Sequence, residues 1–269
     1  MQISSKELSK NIRINALKMV AKAKASHIGS ALSIADIVSV LYADVLKVFP
    51  ENPAAANRDR LILSKGHACV AVYAALAEMK FFPKKDLETY GEDYSPLMNH
   101  ISHKVPGVEF STGALGHGLP FGVGKALYAK NKDLGWRVFV ILSDGELDEG
   151  SNWEALMFAA HHQLNNLTLI IDYNKLQSLT SIEKTLGLEP LVDKFRAFGA
   201  HVVELDGHDH FALSQELKTP GINQPKVIIA HTTKGKGVSF MENQVMWHYR
   251  SPNEEQLAKA IGEVELAYA

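Results

Sequence analysis

The sequence contains a single cysteine, Cys69, and it lacks an excess of either charge sign. One cysteine excludes a disulfide framework and a cysteine-based zinc site. The formal net charge of −2 gives no reason to expect nucleic acid or an anionic membrane as a partner. No apolar run is long enough to span a bilayer, and the polar N-terminal segment lacks the apolar stretch of a signal peptide. We therefore expect a cytoplasmic protein.

Histidine is the residue type that the sequence has in excess, with 12 copies. Several lie beside glycine or serine in turn-like contexts, such as His27 in SHIGS, His67 in SKGHA and His117 in LGHG. Histidine carries protons near neutral pH and donates hydrogen bonds to phosphate oxygens. For any one of these histidines, an ordinary surface position is the competing explanation.

Apolar runs alternate with amphipathic segments along the chain. Strands are predicted at 59–64, 137–143, 167–172, 201–205 and 226–230. Helices are predicted at 5–24, 33–47, 68–79, 113–124, 151–164, 190–199, 210–217 and 253–267. Continuous apolar strands between helices indicate a parallel sheet with helices on both faces. We expect an α/β protein in which residues 1–269 form one domain.

Two polar side chains follow consecutive predicted strands. Asp144 lies in the acidic turn SDGELDEG, and Asn174 lies in DYNKLQS. Because ligands collect at the carboxyl ends of parallel strands, these side chains are expected to meet, where their oxygens suit Mg²⁺ or Ca²⁺. Gly145 would let the backbone approach a phosphate. The competing explanation is an ordinary Asp-Gly turn and a helix cap.

The spacing of Asp144-Gly145 and Asn174 resembles the diphosphate-binding signature of thiamine-diphosphate enzymes. Further motifs stand in the order found in transketolases: ASHIGS, LSKGHA, PGVEFSTGALGHG, SDGELDEGSNWEA, DYNKLQS and TTKGKGVSFMENQVMWH. The resemblance extends from about residue 10 to residue 255. It implies the thiamine-diphosphate-binding fold and, within it, the diphosphate-binding domain.

The resemblance also implies a role for each matching residue. The implied ligands of a Mg²⁺ or Ca²⁺ ion are Asp144, Asn174 and the carbonyl oxygen of Leu176. The implied cofactor contacts are His67, Gly113, Leu115, Asp144, Gly145, Glu146, Asn174 and His248. The implied catalytic residues, which would stabilise a developing alkoxide and pass protons, are His27, His100 and His248. Glu149 matches a glutamate at the family's subunit interface. The charges of Glu146 and Asp148, taken by themselves, indicate solvated side chains.

Departures from the transketolase pattern concentrate on the substrate side. Ser143 and Ile28 stand where the family usually has Gly and Pro, and His117 stands where it has Gln. The segment NHIS around His100 replaces GHPE, which leaves His103 as an alternative to His100. These changes indicate a specialised sugar. Lys234 and Lys236 in TTKGKG are interpreted as solvated loop charges, and His208 and His210 as exposed residues at a helix start.

The resemblance covers only the diphosphate-binding part of a transketolase. The family's pyrimidine-binding glutamate and its phosphate-gripping arginines belong to later domains. We therefore predict the N-terminal subunit of a split transketolase, with two copies each of this chain and a C-terminal subunit. Together they would transfer a two-carbon ketol unit from a ketose or its phosphate to an aldose or its phosphate. A non-catalytic cofactor-binding or regulatory module is the alternative. The glycine pattern at 116–122 only loosely resembles a nicotinamide-binding loop, because no apolar strand precedes it.

Overall fold

Five parallel strands form the central sheet of the protein, whose computed structural model describes residues 3–268. The strands are β1 (Arg60–Leu63), β2 (Val138–Ser143), β3 (Leu167–Tyr173), β4 (His201–Asp206) and β5 (Lys226–His231). Their spatial order is β1-β2-β3-β5-β4, so β2 and β3 are neighbours. Ser143 pairs with Asp172, and the two strands therefore end side by side. The predicted parallel α/β fold is confirmed.

Helices cover both faces because successive strand side chains point to opposite sides. The helices are α1 (Ser5–Ala23), α2 (Ile28–Ser33), α3 (Ala35–Val40), α4 (Cys69–Glu78), α5 (Gly118–Asn131), α6 (Gly150–His161), α7 (Ile182–Thr185), α8 (Leu191–Ala197), α9 (His210–Lys218) and α10 (Glu254–Ala267). Phe139 and Ile141 of β2 face a core built with α1 to α4, α9 and α10. Val138 and Val140 face a second core built with α5, α6 and α8. Among the described residues, no helix has the length and apolar character required to cross a membrane.

The chain between Ile28 and Val45 differs from the single helix predicted at 33–47. Helix α2 ends at Ser33, α3 begins at Ala35, and residues 41–45 form a π-helical turn. Ser33 does not cap a helix, because its hydroxyl donates instead to the Asp172 carboxylate at 2.5 Å. The glycine-rich helix also begins later than predicted, at Gly118, so residues 113–117 remain a non-helical segment beside the sheet.

Candidate functional site

A cavity of about 190 Å³ lies where β2 and β3 end. All of the predicted catalytic, cofactor-binding and metal-binding residues except Glu146 line this cavity: His27, His67, His100, Gly113, Leu115, Asp144, Gly145, Asn174, Leu176 and His248. The structure therefore brings together side chains from distant parts of the chain. It also adds Lys65 and Lys234, to which the sequence analysis assigned no role in a site.

The Asp144 carboxyl group lies at the base of the cavity and is 1% exposed. Its oxygens accept hydrogen bonds from the backbone N–H groups of Gly145 at 2.8 Å and Lys175 at 2.6 Å. Burial, followed by the charge of nearby Asp172, raises the pKa of Asp144 to about 7. A cation bound beside a buried carboxylate favours the ionised form of that carboxylate and thereby lowers its pKa.

Two further oxygens accompany Asp144. Asn174 Oδ1 accepts from the Leu176 N–H at 3.1 Å, and the Leu176 carbonyl accepts from Lys234 Nζ at 3.1 Å. That carbonyl oxygen therefore already pairs with one positive charge. A carboxylate, an amide oxygen and a backbone carbonyl are hard donors, and the residues present fit a Mg²⁺ or Ca²⁺ ion.

A buried ionic network lies behind the Asn174 side chain. Asp172 is fully buried and forms an ion pair with Lys65, which is 1% exposed. The same carboxylate accepts hydrogen bonds from the hydroxyl groups of Ser33 and Thr232. Burial alone would raise the pKa of Asp172, but Lys65 and the hydroxyl donors hold that pKa below its usual value. Sequence reasoning missed this network, although Lys65 stands two residues before His67.

Four histidines also line the cavity. The His27 ring centroid lies 5.2 Å from that of His67, 5.6 Å from that of His100 and 4.9 Å from that of His248. Burial lowers the pKa of His27 to about 4 with help from His100 and Lys234, and it lowers the pKa of His248 to about 3 with help from Lys234. Burial also lowers the pKa of His67 and His100. At neutral pH each ring is therefore uncharged and carries one donor and one acceptor nitrogen.

The backbone of His27 is held in an unusual conformation. Its φ of 73° lies in the left-handed region, which a non-glycine residue adopts only at a cost. The His27 N–H donates to the His248 carbonyl at 2.7 Å, which offsets part of that cost. The two histidines are thus fixed relative to each other although they are far apart in sequence.

Tyr73 of α4 clamps the segment that carries His100. Its hydroxyl donates to the His100 carbonyl at 3.0 Å and accepts from the Ser102 N–H at 3.1 Å. His103, the alternative to His100, is exposed and is hydrogen-bonded to the Ser111 hydroxyl at 2.7 Å. His100 is therefore the member of this pair that the structure brings to the cavity.

Glu146 does not line the cavity, and the interpretation of its carboxylate as a solvated charge is wrong. The side chain is fully buried. Glu146 Oε1 accepts from the Ser64 hydroxyl at 2.5 Å and from the Gly116 N–H at 2.9 Å. Burial raises the pKa of Glu146. The carboxylate thereby ties the turn after β2 to the end of β1 and to the segment that carries Gly113 and Leu115.

Lys234 is also not the solvated loop charge that the sequence indicated, because it is only 2% exposed. Its Nζ lies 3.1 Å from the carbonyl oxygens of Leu176 and Gln177 and 3.2 Å from His248 Nδ1. Burial, together with the charge of Lys65, lowers the pKa of Lys234 to about 8, so the ammonium remains mainly charged at pH 7. Lys236, by contrast, is 39% exposed.

The exposure predicted for His208 and His210 is also wrong. Their side chains are only 14% and 11% exposed, and both contact the buried carboxylate of Asp36. The distances are 2.7 Å for His208 Nδ1 and 3.1 Å for His210 Nε2. Arg13 completes the cluster with an ion pair to Asp36. This cluster borders a second cavity, of about 980 Å³, which shares no lining residue with the histidine-lined one.

The fold and the strand-end cavity define the class of the protein. A parallel sheet with hard oxygen donors after two adjacent strands and buried lysines beside them is the arrangement of an α/β domain that suits a phosphate-bearing ligand bound with a divalent ion.

Comparisons with known proteins place the chain more closely. Residues 4–262 match the family described as transketolase, thiamine diphosphate binding domain. The chain is 40% identical to one of the separate subunits of the apulose-4-phosphate transketolase of Phocaeicola vulgatus, over 98% of this chain and 95% of that protein. It is 38% identical to a 6-deoxy-6-sulfo-D-fructose transketolase subunit of a Clostridium strain, over 98% of this chain and 97% of that protein. The chain belongs to the transketolase family.

Solved structures agree with this assignment. The transketolase of Campylobacter jejuni superposes with a TM-score of 0.91 at 31% identity, covering 97% of this chain and 42% of that chain. The transketolase of Leishmania mexicana gives 0.89 at 29% identity, covering all of this chain and 44% of that chain. The chain thus spans about two fifths of these solved transketolases but nearly the full length of the separate subunits.

Proposed function

We propose that the chain is the thiamine-diphosphate-binding subunit of a two-chain transketolase. The observation that carries the proposal is the cavity, which gathers the implied metal, cofactor and catalytic residues from separate parts of the sequence. The family match and the similarity to separate subunits of two transketolases support it. We also propose that residues 1–269 act as one domain and that the protein works in the cytoplasm.

The lining of the cavity binds the charged part of the cofactor. Asp144, Asn174 and the Leu176 carbonyl hold the divalent ion, Mg²⁺ or Ca²⁺. His67, Gly145 and His248 contact the diphosphate, and the Lys234 ammonium adds a buried positive charge near them. Bound thiamine diphosphate supplies the electron sink that lets a carbon–carbon bond next to a carbonyl break and form. Leu115 and Gly113 present backbone along the aminopyrimidine ring.

Three histidines of the cavity act on the substrate. His27, His100 and His248 are uncharged at neutral pH, so each can donate a hydrogen bond to a sugar oxygen and accept a proton at its second nitrogen. Their fixed separations orient the reacting carbons toward the cofactor. The overall reaction is transfer of a two-carbon ketol unit from a ketose or ketose phosphate to an aldose or aldose phosphate.

A C-terminal subunit completes the enzyme, and we propose two copies of each chain. Glu149 is exposed and available for a contact at a subunit interface. The substrate is a specialised sugar, since the residues around His100 depart from the common pattern and two similar proteins are named for apulose 4-phosphate and 6-deoxy-6-sulfo-D-fructose.

Replacement of the central ligand tests the cofactor site. Asp144→Ala should abolish metal-dependent binding of thiamine diphosphate, measured by titration calorimetry with and without Mg²⁺. Glu149→Ala is the matched control, because this acid lies in the same turn but is exposed and does not line the cavity. An unchanged affinity in the Asp144 variant would exclude the proposed site.

Reconstitution tests the activity. The C-terminal chain that co-purifies from the native cell should be identified, mixed with this chain and assayed for ketol transfer with a panel of ketoses and their phosphates. Turnover that requires both chains supports the split transketolase. Cofactor binding without turnover beside any such partner would support the non-catalytic module instead.

A further inference from the structure

The Asn174 side chain has two chemically different ends that are almost identical in shape. Its oxygen can bind a cation, whereas its NH₂ group can only donate hydrogen bonds. If the amide rotated by half a turn, the NH₂ group would take the place of the oxygen. A working cation site therefore requires a neighbour that distinguishes the two ends.

Asp172 is the charged group among the neighbours that distinguish them. The others are the Leu176 N–H, 3.1 Å from the oxygen, and the Ser33 hydroxyl, 3.4 Å from the NH₂ group. Asp172 precedes Asn174 by two residues on β3, and its Oδ2 accepts from Asn174 Nδ2 at 2.9 Å. The same oxygen accepts from Lys65, while Oδ1 accepts from the hydroxyl groups of Ser33 and Thr232. All four contacts are made by donors, which suits an ionised carboxylate because such a group only accepts.

The alternative orientation of the amide is unfavourable for electrostatic reasons. Rotation would bring Asn174 Oδ1 against the Asp172 carboxylate in a fully buried position, where two acceptors repel and water cannot separate them. In the observed orientation Oδ1 instead accepts from the Leu176 N–H, and Asn174 lines the cavity together with Asp144.

We propose that Asp172 is a positioning residue for the cation site, because its carboxylate holds the Asn174 amide with the oxygen toward the cation. The inference rests on the proposed cofactor site and adds a residue that does not touch the ion. Outer partners that orient metal ligands in this way typically change metal affinity about 10- to 100-fold when they are altered.

Replacement of Asn174 by aspartate distinguishes this positioning role from ligand counting, the view that the number and type of cation ligands alone determine the affinity. A carboxylate is ordinarily a good ligand for a divalent ion, so ligand counting predicts equal or tighter binding in Asn174→Asp. With Asp172 behind it, the introduced carboxylate has an oxygen against another carboxylate. We therefore expect Asn174→Asp to weaken binding by about tenfold or more, the scale of an altered outer partner.

A double-mutant cycle then measures the coupling between the two positions. Asp172→Asn alone should weaken binding by less than Asn174→Asp does. One end of the new amide can still accept from Asn174, although a negative charge near the cation is lost. In the Asn174→Asp background the same replacement should recover most of the lost affinity, because an NH₂ group can now donate to the introduced carboxylate. The probe is Mn²⁺, followed by electron paramagnetic resonance with thiamine diphosphate at a fixed saturating concentration.

A control variant tests whether the loss of any acid partner of a buried lysine would change Mn²⁺ affinity. Glu216→Gln removes the acid partner of Lys226, another fully buried lysine, at a site away from the cavity. It should lower the melting temperature and leave Mn²⁺ affinity unchanged. Equal effects of Asp172→Asn in both backgrounds would overturn the positioning role.

Each outcome has a separate meaning. If the wild-type chain does not bind Mn²⁺ with the cofactor, the proposed site and the positioning role both fail. If the wild type binds and Asn174→Asp binds equally well or more tightly, only the positioning role fails. The single Asn174→Asp variant decides this point even if Asp172→Asn does not fold.

Discussion

The hydroxyl group of Tyr73 provides a test of how the fold positions His100, one of the proposed catalytic histidines. Tyr73→Phe keeps the aromatic ring in the core and removes one oxygen atom. That oxygen accepts from the Ser102 N–H and donates to the His100 carbonyl. Ser102 is 4% exposed, so water replaces the lost acceptor poorly. We expect the segment that carries His100 to shift and loosen.

The magnitude follows from the two lost hydrogen bonds. Each contributes about 1 kcal/mol net, and a buried donor left without a partner costs about 1–3 kcal/mol. The free energy of unfolding should therefore fall by about 2–4 kcal/mol. A small displacement of a positioned catalytic group can lower activity by as much as about 100-fold, so kcat/KM for the sugar should fall by about tenfold or more.

The assay compares stability, cofactor affinity and activity in the proposed two-subunit enzyme. Urea unfolding gives the stability, and thiamine-diphosphate affinity should stay within about twofold because the cation ligands do not contact Tyr73. Tyr90→Phe is the matched control: Tyr90 is also buried, and its ring centroid lies 6.4 Å from that of Tyr73. Its hydroxyl pairs with the Cys69 thiol rather than with His100 or Ser102, so kcat/KM should fall by much less than in Tyr73→Phe. An unchanged kcat/KM in Tyr73→Phe, or an equal loss of cofactor affinity, would refute the reasoning.

Two further predictions concern stability. Gly118→Ala should lower stability by about 1–3 kcal/mol through overpacking, because a Cβ there would lie 2.4 Å from Ser64 Oγ. In Gly124→Ala of the same helix the new Cβ has no further atom within 4 Å, so stability should rise by about 0.4–1 kcal/mol. Thermal melting compares the two variants, and equal changes in their melting temperatures would contradict this prediction. The pKa of His27 is about 4 in the folded protein and 6.5 in the unfolded chain. Because the unfolded chain binds the proton at higher pH, the free energy of unfolding should decrease as the pH falls from 6.5 to 4. Discounted for partial exposure, the loss is on the order of 1–2 kcal/mol, and urea unfolding of His27→Asn over this pH range should show a shallower slope than wild type.

The sequence by itself determined the strands, most helices and the residues at the strand ends. Continuous apolar runs and amphipathic periods are local patterns, and local patterns can be recognised without knowledge of distant contacts. Asp144 and Asn174 were found for this reason, because each directly follows an apolar run. The motifs around His27, His67 and His248 were found through their resemblance to transketolases, since nothing local shows that these histidines share a cavity.

The tertiary structure alone decided which charged residues are buried and what they contact. Glu146 and Lys234 lie in polar turns, where sequence indicates solvent exposure, yet distant segments cover both. The network around Asp172 joins a hydroxyl 139 positions away at Ser33 to a lysine 107 positions away at Lys65. A charge in a turn is solvated or buried according to the segments that pack over it, and that packing is a property of the whole fold.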